Sequence, residues 1–465
     1  MLKQTIQEFW ENEAQPALMD FVRLPAKSTA FDAQWRENGY LRQACDQAAS
    51  WIKKIINGAH CEVLEIDGKA PCLFVEIEAF GSHSEKSVAF YGHLDKQPEN
   101  YPWREGLGPW NPVVEGDYLY GRGASDDGYS VYAMITAIES LRRLNINHPR
   151  IVAIFETQEE SGSDDLPFYL EKLKSRIGSP ECFIILDNLC GDYERLWLNT
   201  SLRGTLTGTL KVKALSYGVH SGTYSGIVPD PVSIAHALVA RIHDPISGEV
   251  KLKALHTDIP SLRVEQLKEV SEVLDRQVWD TAPLLPGVQA KSSDPHECLL
   301  NSIWKPTLTI IGIDGVPSVQ DAGSVIQGEV SLRLSLRTPP GIDIEEAQKA
   351  VREALTENIP YGCLVTWEDI ECHKGWCAPH HGGSVEALFN DAADEVFGAK
   401  TLASGQGASI GFIPDFEAMF PQTEIILIGV LGPQSNAHSP NVMWGLKSGP
   451  LGLLKKDENA QRVVS

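Results

Sequence analysis

The chain has 465 residues, 43% of them hydrophobic, which is enough for two domains with sizeable cores. It carries 62 acidic and 40 basic side chains, so its formal net charge at pH 7 is −22. This surplus of negative charge argues against nucleic acid or an anionic membrane as a partner.

The amino-terminal segment begins an amphipathic helix. It contains acidic residues and no continuous apolar stretch, so we expect no signal peptide, and no apolar run in the chain reaches membrane-spanning length. The nine cysteines are odd in number, scattered and without a Cys-x-x-Cys repeat. Such a set is typical of reduced thiols, and we therefore expect a cytoplasmic protein.

The first half of the chain alternates strands and helices. Short apolar runs at residues 88–91, 151–155 and 182–186 predict buried strands, and the helical apolar spacing of residues 130–141 predicts a crossover helix between the first two. A strand, a crossover helix and a second strand favour a mostly parallel sheet in an α/β fold. Open sheets of this kind bind ligands at the carboxyl ends of their strands.

The pattern changes near residue 202. Residues 205–213 and 329–337 alternate as half-exposed strands do, a helix is predicted at 231–241, and the stretch 251–305 mixes short helices with loops. We predict an α+β insertion at residues 203–376, within a larger α/β domain made of residues 1–202 and 377–465. A helix at 384–397 and a strand at 425–428 resume the larger domain.

Residues suited to bind metal follow several of these strand and turn signals. They are His93 and Asp95, Asp126, Glu159 and Glu160, Asp187, and His438. Two divalent cations about 3.5–4 Å apart repel each other, so a stable pair needs several anionic ligands and preferably a carboxylate that bridges both. Mixed imidazole and carboxylate ligands favour zinc, with manganese or cobalt as alternatives.

Each motif also has a simpler interpretation. Asp126 could cap the helix that follows it, and Glu159 and Glu160 could be charged residues of a loop. The Gly121–Gly123 segment lacks both the dinucleotide-binding glycine pattern and the P-loop lysine, so nucleotide binding is not expected. No simpler interpretation explains why so many ligand types occur at successive strand ends.

Six segments together resemble a known family, the zinc metallopeptidases and amidohydrolases that include carnosinase, cytosolic non-specific dipeptidase, aminoacylase and carboxypeptidase G. The segments are residues 92–98 (GHLDKQP), 108–110 (GPW), 120–128 (YGRGASDDG), 159–163 (EESGS), 219–222 (VHSG) and 436–439 (NAHS). The resemblance covers nearly the whole chain, and the dipeptidase branch is the most similar one.

The resemblance implies a metal centre with defined roles. Asp126 would bridge two metal ions, with His93 and Asp187 on one ion and Glu160 and His438 on the other. Glu159 would be the general base that accepts a proton from water and passes it to the leaving amine. Asp95 lies on the same side of an extended segment as His93 and can orient its imidazole.

The resemblance also implies that the insertion is a lid that carries a homodimer interface. His220 would reach the partner subunit's active site and stabilise the oxyanion. Arg337 would hold the free carboxylate of the substrate through its planar donor fork, with Ser324 in the same pocket. Gly407 and Ser409 would lie in a glycine-rich loop that contacts the substrate main chain.

We therefore expect a dinuclear metallopeptidase that hydrolyses dipeptides or short peptides with a free carboxyl end. Two alternatives stay open at this point. An N-acyl amino acid amidohydrolase would use the same centre, and only the pocket on the substrate's amino side would distinguish it. A binding homologue without catalysis would not need Glu159, which is present in the chain.

Overall fold

The structure is a computed structural model that describes residues 1–81, 86–379 and 384–445. The predicted second part of the larger domain, residues 377–465, includes 380–383 and 446–465, which lie outside the described residues. Within the described ranges, none of the helices is long and apolar enough to cross a membrane.

The strands of the described residues are β1 (His60–Leu64), β2 (Cys72–Ile77), β3 (Ser87–His93), β4 (Val113–Glu115), β5 (Tyr118–Tyr120), β6 (Arg150–Glu156), β7 (Cys182–Ile185), β8 (Trp197–Leu202), β9 (Gly204–Lys213), β10 (Val219–His220), β11 (Thr307–Asp314), β12 (Val325–Ile326), β13 (Glu329–Thr338), β14 (Leu364–His373), β15 (Trp376–Cys377), β16 (Leu402–Gln406), β17 (Glu424–Leu427) and β18 (Met443–Gly445).

The α-helices are α1 (Leu2–Phe9), α2 (Gln15–Val22), α3 (Trp35–Asn38), α4 (Tyr40–Ile55), α5 (Tyr129–Arg143), α6 (Leu166–Ile177), α7 (Ser221–Tyr224), α8 (Pro231–Ile242), α9 (Ser261–Leu274), α10 (Gln277–Asp280), α11 (Pro295–Ile303), α12 (Ile344–Thr356), α13 (Ser384–Phe397) and α14 (Ile413–Met419).

The larger sheet has the strand order β1-β2-β6-β3-β7-β17-β8-β15, and β16 pairs with β8. Its centre is parallel: β3 pairs in parallel with both β6 and β7, and β17 pairs in parallel with β7. Strand β3 is buried along its whole length. The ends of β3, β6 and β7 therefore meet at one edge of the sheet, which is where ligand-binding residues are expected in this class of fold.

Helices cover both faces of this sheet. On one face α1, α2, α4, α5 and α13 share a buried apolar cluster with the strands. On the other face α6 and α14 form a second cluster, in which the rings of Phe183 and Phe416 stack with centroids 3.7 Å apart. Parallel strands buried on both faces need an apolar layer on each side. The prediction of an α/β fold with helices on both faces is confirmed.

The smaller sheet is fully antiparallel, in the order β11-β13-β9-β14. Strand β13 alternates strictly between buried and partly exposed residues, as the sequence predicted. The buried side packs against α8 and α12 in a separate apolar cluster. The other side, which carries polar and charged residues, is left open.

The part of the chain between α8 and β11 returns to the larger sheet. Helices α9 and α11 contact β16 and share an apolar cluster with Trp197 and Leu402. The predicted insertion, residues 203–376, therefore contains both helices together with the strands of the smaller sheet. The two helices nevertheless pack on the larger sheet. The three proposed domain ranges stay predictions.

One stability prediction concerns the first turn of α12. The carboxylate of Asp343 accepts hydrogen bonds from the backbone N–H groups of Glu345 (3.0 Å) and Glu346 (3.1 Å). We expect Asp343→Ala to lower the free energy of unfolding by about 1 kcal/mol, measured by urea denaturation, because the first turn loses its cap. Asp343→Asn preserves a capping oxygen and serves as the matched control. Equal destabilisation by both variants would contradict the capping role.

Candidate metal centre and substrate pocket

Three neighbouring strands bring candidate ligands to one edge of the sheet. His93 is the last residue of β3, a single turn containing Glu159 and Glu160 follows β6, and Asp187 follows β7 by two residues. Because β3 lies between β6 and β7 in parallel register, these side chains converge. Asp126, from the segment before α5, lies among them and is almost fully buried.

The side chains form two clusters that share Asp126. In the first cluster, His93 Nε2 lies 3.4 Å from Asp126 Oδ1 and 3.7 Å from Asp187 Oδ2. In the second cluster, His438 Nε2 lies 3.3 Å from Asp126 Oδ2 and 3.3 Å from Glu160 Oε2. Each oxygen of one carboxylate therefore faces a different imidazole. A carboxylate that bridges two metal ions needs this arrangement.

The donor atoms fit a pair of divalent cations. His93 Nε2, Asp126 Oδ2 and Glu160 Oε1 are buried and make no hydrogen bond in the described part of the chain. Buried polar atoms are normally satisfied, so unpartnered ones that face each other indicate a ligand. Imidazole nitrogen with carboxylate oxygen is a donor set that zinc accepts.

Glu159 lies beside the first cluster. Its Oε2 atom is 3.9 Å from His93 Nε2, and its carboxylate, the His93 ring and Asp187 could all contact one ion. Distance alone does not separate a ligand from a general base at this position. The assignment of Glu159 as the base stays a prediction.

The crowding of carboxylates shifts the pKa values of the site. Burial, reinforced by the charge of Asp187, raises the pKa of Glu159 well above its usual range. Burial likewise raises the pKa of Asp187 to about 6, and burial together with the charge of Asp126 raises the pKa of Glu160 to about 8. A cation that binds here therefore competes with protons, and binding should release them.

The two histidines and Asp126 stabilise one another in their charged forms. Burial raises the pKa of Asp126, but the nearby imidazoles of His438 and His93 outweigh this effect and lower the pKa overall. The close approach of the Asp126 carboxylate is the main reason why the pKa of His438 rises to about 9. Asp126 is thus the carboxylate most strongly held in its anionic form, as a bridging ligand must be.

Asp95 connects the first cluster to the Glu159 turn. His93 Nδ1 lies 3.1 Å from the Asp95 carbonyl oxygen and 3.4 Å from its Oδ1. The same buried carboxylate accepts hydrogen bonds from the backbone N–H groups of Glu159 (3.2 Å) and Glu160 (3.0 Å). One side chain therefore contacts both the imidazole and the turn that carries two site carboxylates. The sequence predicted only the contact with His93.

The His438 loop is held by two residues that the sequence analysis missed. His438 has a left-handed backbone, with φ of 62°. Asn100 Nδ2 donates to the His438 carbonyl oxygen (2.7 Å), and Arg122 Nη2 donates to the carbonyl oxygen of Ser439 (3.0 Å). Asn100 is more than three hundred residues away along the chain. No local sequence signal marks such a contact.

Arg337, Ser409 and Gly407 are also brought together. Arg337 Nη1 donates to Ser409 Oγ (3.0 Å), and Ser409 Oγ donates to the carbonyl oxygen of Arg203. Arg203 Nε in turn donates to the Gly407 carbonyl oxygen (3.1 Å). Three of these residues were predicted from the sequence, whereas Arg203, which links them, was not. The position of Arg203 directly before the amphipathic strand β9 is the sequence feature that could have drawn attention to it.

His220 and Ser324 lie together at the β10–β12 pair, apart from these contacts. His220 is opposite Val325 in the β10–β12 pair, and the next residue, Ser221, donates its N–H to the Ser324 carbonyl oxygen (2.8 Å). The His220 side chain is exposed. In the described part of the chain it makes no hydrogen bond or ion pair with the two clusters.

A cavity of about 440 Å³ is lined by segments that lie close in sequence to Asp187 and His438. Its lining comes from the loop after Asp187, the glycine-rich loop, the segment leading to His438, and helices α9 to α11. The lining ranges are residues 189–191, 404–407 and 431–436 with parts of 274–303. This volume is within the range of small-molecule sites and could hold a side chain of a short peptide.

Comparison with known proteins assigns the family. Residues 89–445 match the model described as "Peptidase family M20/M25/M40". The chain belongs to this family, which confirms the resemblance found in the sequence.

Two curated relatives are dipeptidases. Human "Beta-Ala-His dipeptidase" is 30% identical over 297 residues, which are 63% of this chain and 58% of the relative. The "Cys-Gly metallodipeptidase" of Schizosaccharomyces pombe is 27% identical over 364 residues, 77% of this chain and 76% of the relative. The aligned segment thus spans less than two thirds of the human relative's length.

The fold is shared with solved structures. The crystal structure of human carnosine dipeptidase 1 superposes with a TM-score of 0.78 at 22% identity, over 97% of this chain and 96% of the other.

A prediction about metal binding follows from the His438 loop. We expect Asn100→Gly to weaken binding of one of two metal ions by about tenfold, because it removes a hydrogen bond to the His438 backbone. Glycine tolerates the left-handed backbone of Asn100 (φ of 44°). Metal content after dialysis, measured by plasma mass spectrometry, tests this. Asn145→Gly, at another left-handed asparagine (φ of 56°), is the matched control. Equal metal content in the two variants would contradict the role of Asn100.

Proposed function

We propose that this protein is a dinuclear metal-dependent peptidase that hydrolyses dipeptides or short peptides with a free carboxyl terminus. One observation carries the proposal: the two oxygens of Asp126 lie 3.4 Å and 3.3 Å from the imidazole nitrogens of His93 and His438, respectively. Membership in a peptidase family and the dipeptidases among its relatives support it.

In the proposed reaction the metal ions, when bound, would polarise the scissile carbonyl group and lower the pKa of a water molecule. His93, Asp126 and Asp187 would hold one ion, and Asp126, Glu160 and His438 the other. The Glu159 carboxylate would accept the proton of the attacking water and deliver it to the leaving amine. Asp95 would keep both the His93 ring and the Glu159 turn in place.

We propose zinc as the native metal, with manganese or cobalt as alternatives, because the donors combine imidazole with carboxylate. Arg337 would bind the substrate carboxylate, and Gly407 and Ser409 would contact the substrate main chain next to it. Ser324, which lies beside His220 and apart from Arg337 within one subunit, stays a predicted hydroxyl group of the same pocket. The 440 Å³ cavity would then receive a substrate side chain.

We further propose that the lid mediates a homodimer and that His220 acts in the partner's active site, where it would donate a hydrogen bond to the oxyanion. Apolar side chains near His220 and on the adjoining loop are open to solvent: Tyr217 (75% exposed), Ile227 (73%) and Val319 (95%). Large exposed apolar side chains in one region indicate a contact surface. An exposed His220 suits a residue that meets its substrate only across such a contact.

We place the protein in the cytoplasm. All nine cysteines have free thiols, and burial raises the pKa of several of them; for example, the pKa of Cys61 rises to about 11. Free thiols of this kind suit a reducing compartment.

The first test concerns the base. Glu159→Gln should bind two metal ions and remain folded, but lose peptide hydrolysis by at least about 10²-fold, because the proton acceptor is removed. Metal content and kcat on a dipeptide panel, measured on one preparation, test this. N-acyl amino acids in the same panel test the amidohydrolase alternative. Glu139→Gln, which removes a surface ion pair with Arg143, is the matched control. Near-native turnover by Glu159→Gln with full metal content would exclude the proposed role.

The second test concerns the lid. Subunits carrying His220→Ala and subunits carrying Glu159→Gln should each be inactive as homodimers and regain activity when mixed. A mixed dimer would contain one site with both residues intact, and random exchange would restore about a quarter of wild-type activity. Native mass spectrometry verifies exchange. Exchanged but inactive mixtures would show that His220 does not act across the interface.

A further inference from the structure

Two arginines converge at one end of the smaller sheet. Arg203 directly precedes β9, and Arg337 is the penultimate residue of β13. In the β9–β13 pair, Gly204 is opposite Thr338 and Thr205 is opposite Arg337. The two arginines thus start from adjacent strand ends.

The Arg203 side chain extends across β13, which carries Arg337, to the next strand, β11. Its Nη1 atom lies 3.2 Å from Thr307 Oγ1, and Thr307 is directly opposite Arg337 in the β11–β13 pair. Residues opposite each other in an antiparallel pair lie on the same face of the sheet. The guanidinium groups of Arg203 and Arg337 therefore lie on the same side, close to Ser409 and Gly407.

Neither guanidinium group has an acidic partner in the part of the chain that the structure describes. Within the described residues no carboxylate lies within ion-pairing distance of Arg203 or Arg337, although the chain has 62 acidic and 40 basic residues. In contrast, Arg150 and Arg176, which are also partly buried, both pair with Glu76. Arg203 is only 8% exposed. Two close, poorly hydrated cations without a counter-ion repel each other, and an anion between them would relieve the repulsion.

One donor of Arg203 is left for such an anion. Its Nε and Nη1 atoms are used in hydrogen bonds to Gly407 and Thr307, whereas Nη2 makes none in the described part of the chain. A Cβ atom at residue 407 would lie 3.0 Å from Nη2, so the glycine leaves space beside this donor. The pKa of Arg203 is lowered to about 10, first by burial and then by the charge of Arg337, which agrees with an uncompensated pair.

We propose that Arg203 and Arg337 form a two-cation pocket that binds the free carboxylate of a short peptide, with Arg203 also positioning the Gly407–Ser409 loop. The identity of the ligand as a peptide carboxylate rests on the proposed function, whereas the pocket itself rests on the paired arginines. Arg203 is the residue that the sequence analysis did not assign.

The first arm of the test compares a dipeptide with its carboxy-terminal amide. Arg203→Gln should lower kcat/KM for the free acid about tenfold or more beyond its effect on the amide, mainly through KM. A charge-assisted contact is lost only for the acid, whereas a shift of the Gly407–Ser409 loop affects both substrates. The preference for acid over amide therefore falls by the same factor.

Arg203→Lys, which keeps the charge, should recover part of this preference. Arg263→Gln, at a buried arginine that donates to Gln266 and the Ala378 carbonyl oxygen, should leave it unchanged. An unchanged preference in Arg203→Gln would overturn the proposal.

The second arm needs no catalysis and separates this inference from the proposed function. Sulfate, compared with chloride at equal ionic strength, should raise the thermal midpoint of the full-length wild-type protein, because a dianion can lie between the two guanidinium groups. This sulfate-induced increase in thermal midpoint should be smaller in Arg203→Gln and in Arg337→Gln, and unchanged in Arg263→Gln. If sulfate stabilises all four proteins equally, the two arginines do not form an anion pocket, whatever the outcome for peptide hydrolysis.

Discussion

Repulsion among buried carboxylates is the constraint on which the rest of the site depends. The side chains that meet at the edge of the larger sheet include Asp95, Asp126, Asp127, Glu159, Glu160 and Asp187. The pKa values of Asp127, Glu159, Glu160 and Asp187 are raised, because each of these carboxylates is buried near others. Asp126 is the exception. Only groups held by rigid strands and by dense hydrogen bonding can remain so close. The fully buried β3 and the helices on both faces provide that rigidity.

The need to hold these carboxylates close together also explains the tight packing around His93. The His93 N–H donates to Asp127 Oδ2 (3.0 Å), and a Cβ atom at Gly92 would lie 2.5 Å from that oxygen and 2.2 Å from Ser130 Oγ. A glycine is therefore required immediately before His93. Asp95 and Asn100 act on the backbone of the Glu159 turn and of the His438 loop, so the geometry of the centre is set by main-chain contacts as well as by ligand side chains.

The charges of the two sheets are complementary. The larger sheet presents carboxylates and histidines, which suit metal ions, and the end of the smaller sheet presents Arg203 and Arg337, which suit an anion. A peptide with a free carboxyl end has its amide carbonyl and its carboxylate a few bonds apart. The proposed function and the proposed anion pocket both follow from this separation of charge, although each can be tested without the other.

The sequence by itself determined the elements and the residue types. Apolar runs and their period placed β3, β6 and β7 to within about two residues, because buried parallel strands need continuous apolar segments. His93, Glu159, Glu160 and Asp187 were visible because they lie at or just after the ends of those strands. The alternation along β9 and β13 likewise revealed a half-exposed sheet, since one face packs on helices and the other does not.

Only the tertiary structure decided contacts between distant segments. Asn100 and His438, or Arg203 and Gly407, are joined by single hydrogen bonds across two hundred residues or more, and no periodicity records them. The packing of α9 and α11 on the larger sheet was equally hidden, because an amphipathic helix shows that it has an apolar face but not which surface covers it. Local sequence patterns encode burial and secondary structure, whereas the partner of each buried or charged group depends on how the whole chain folds.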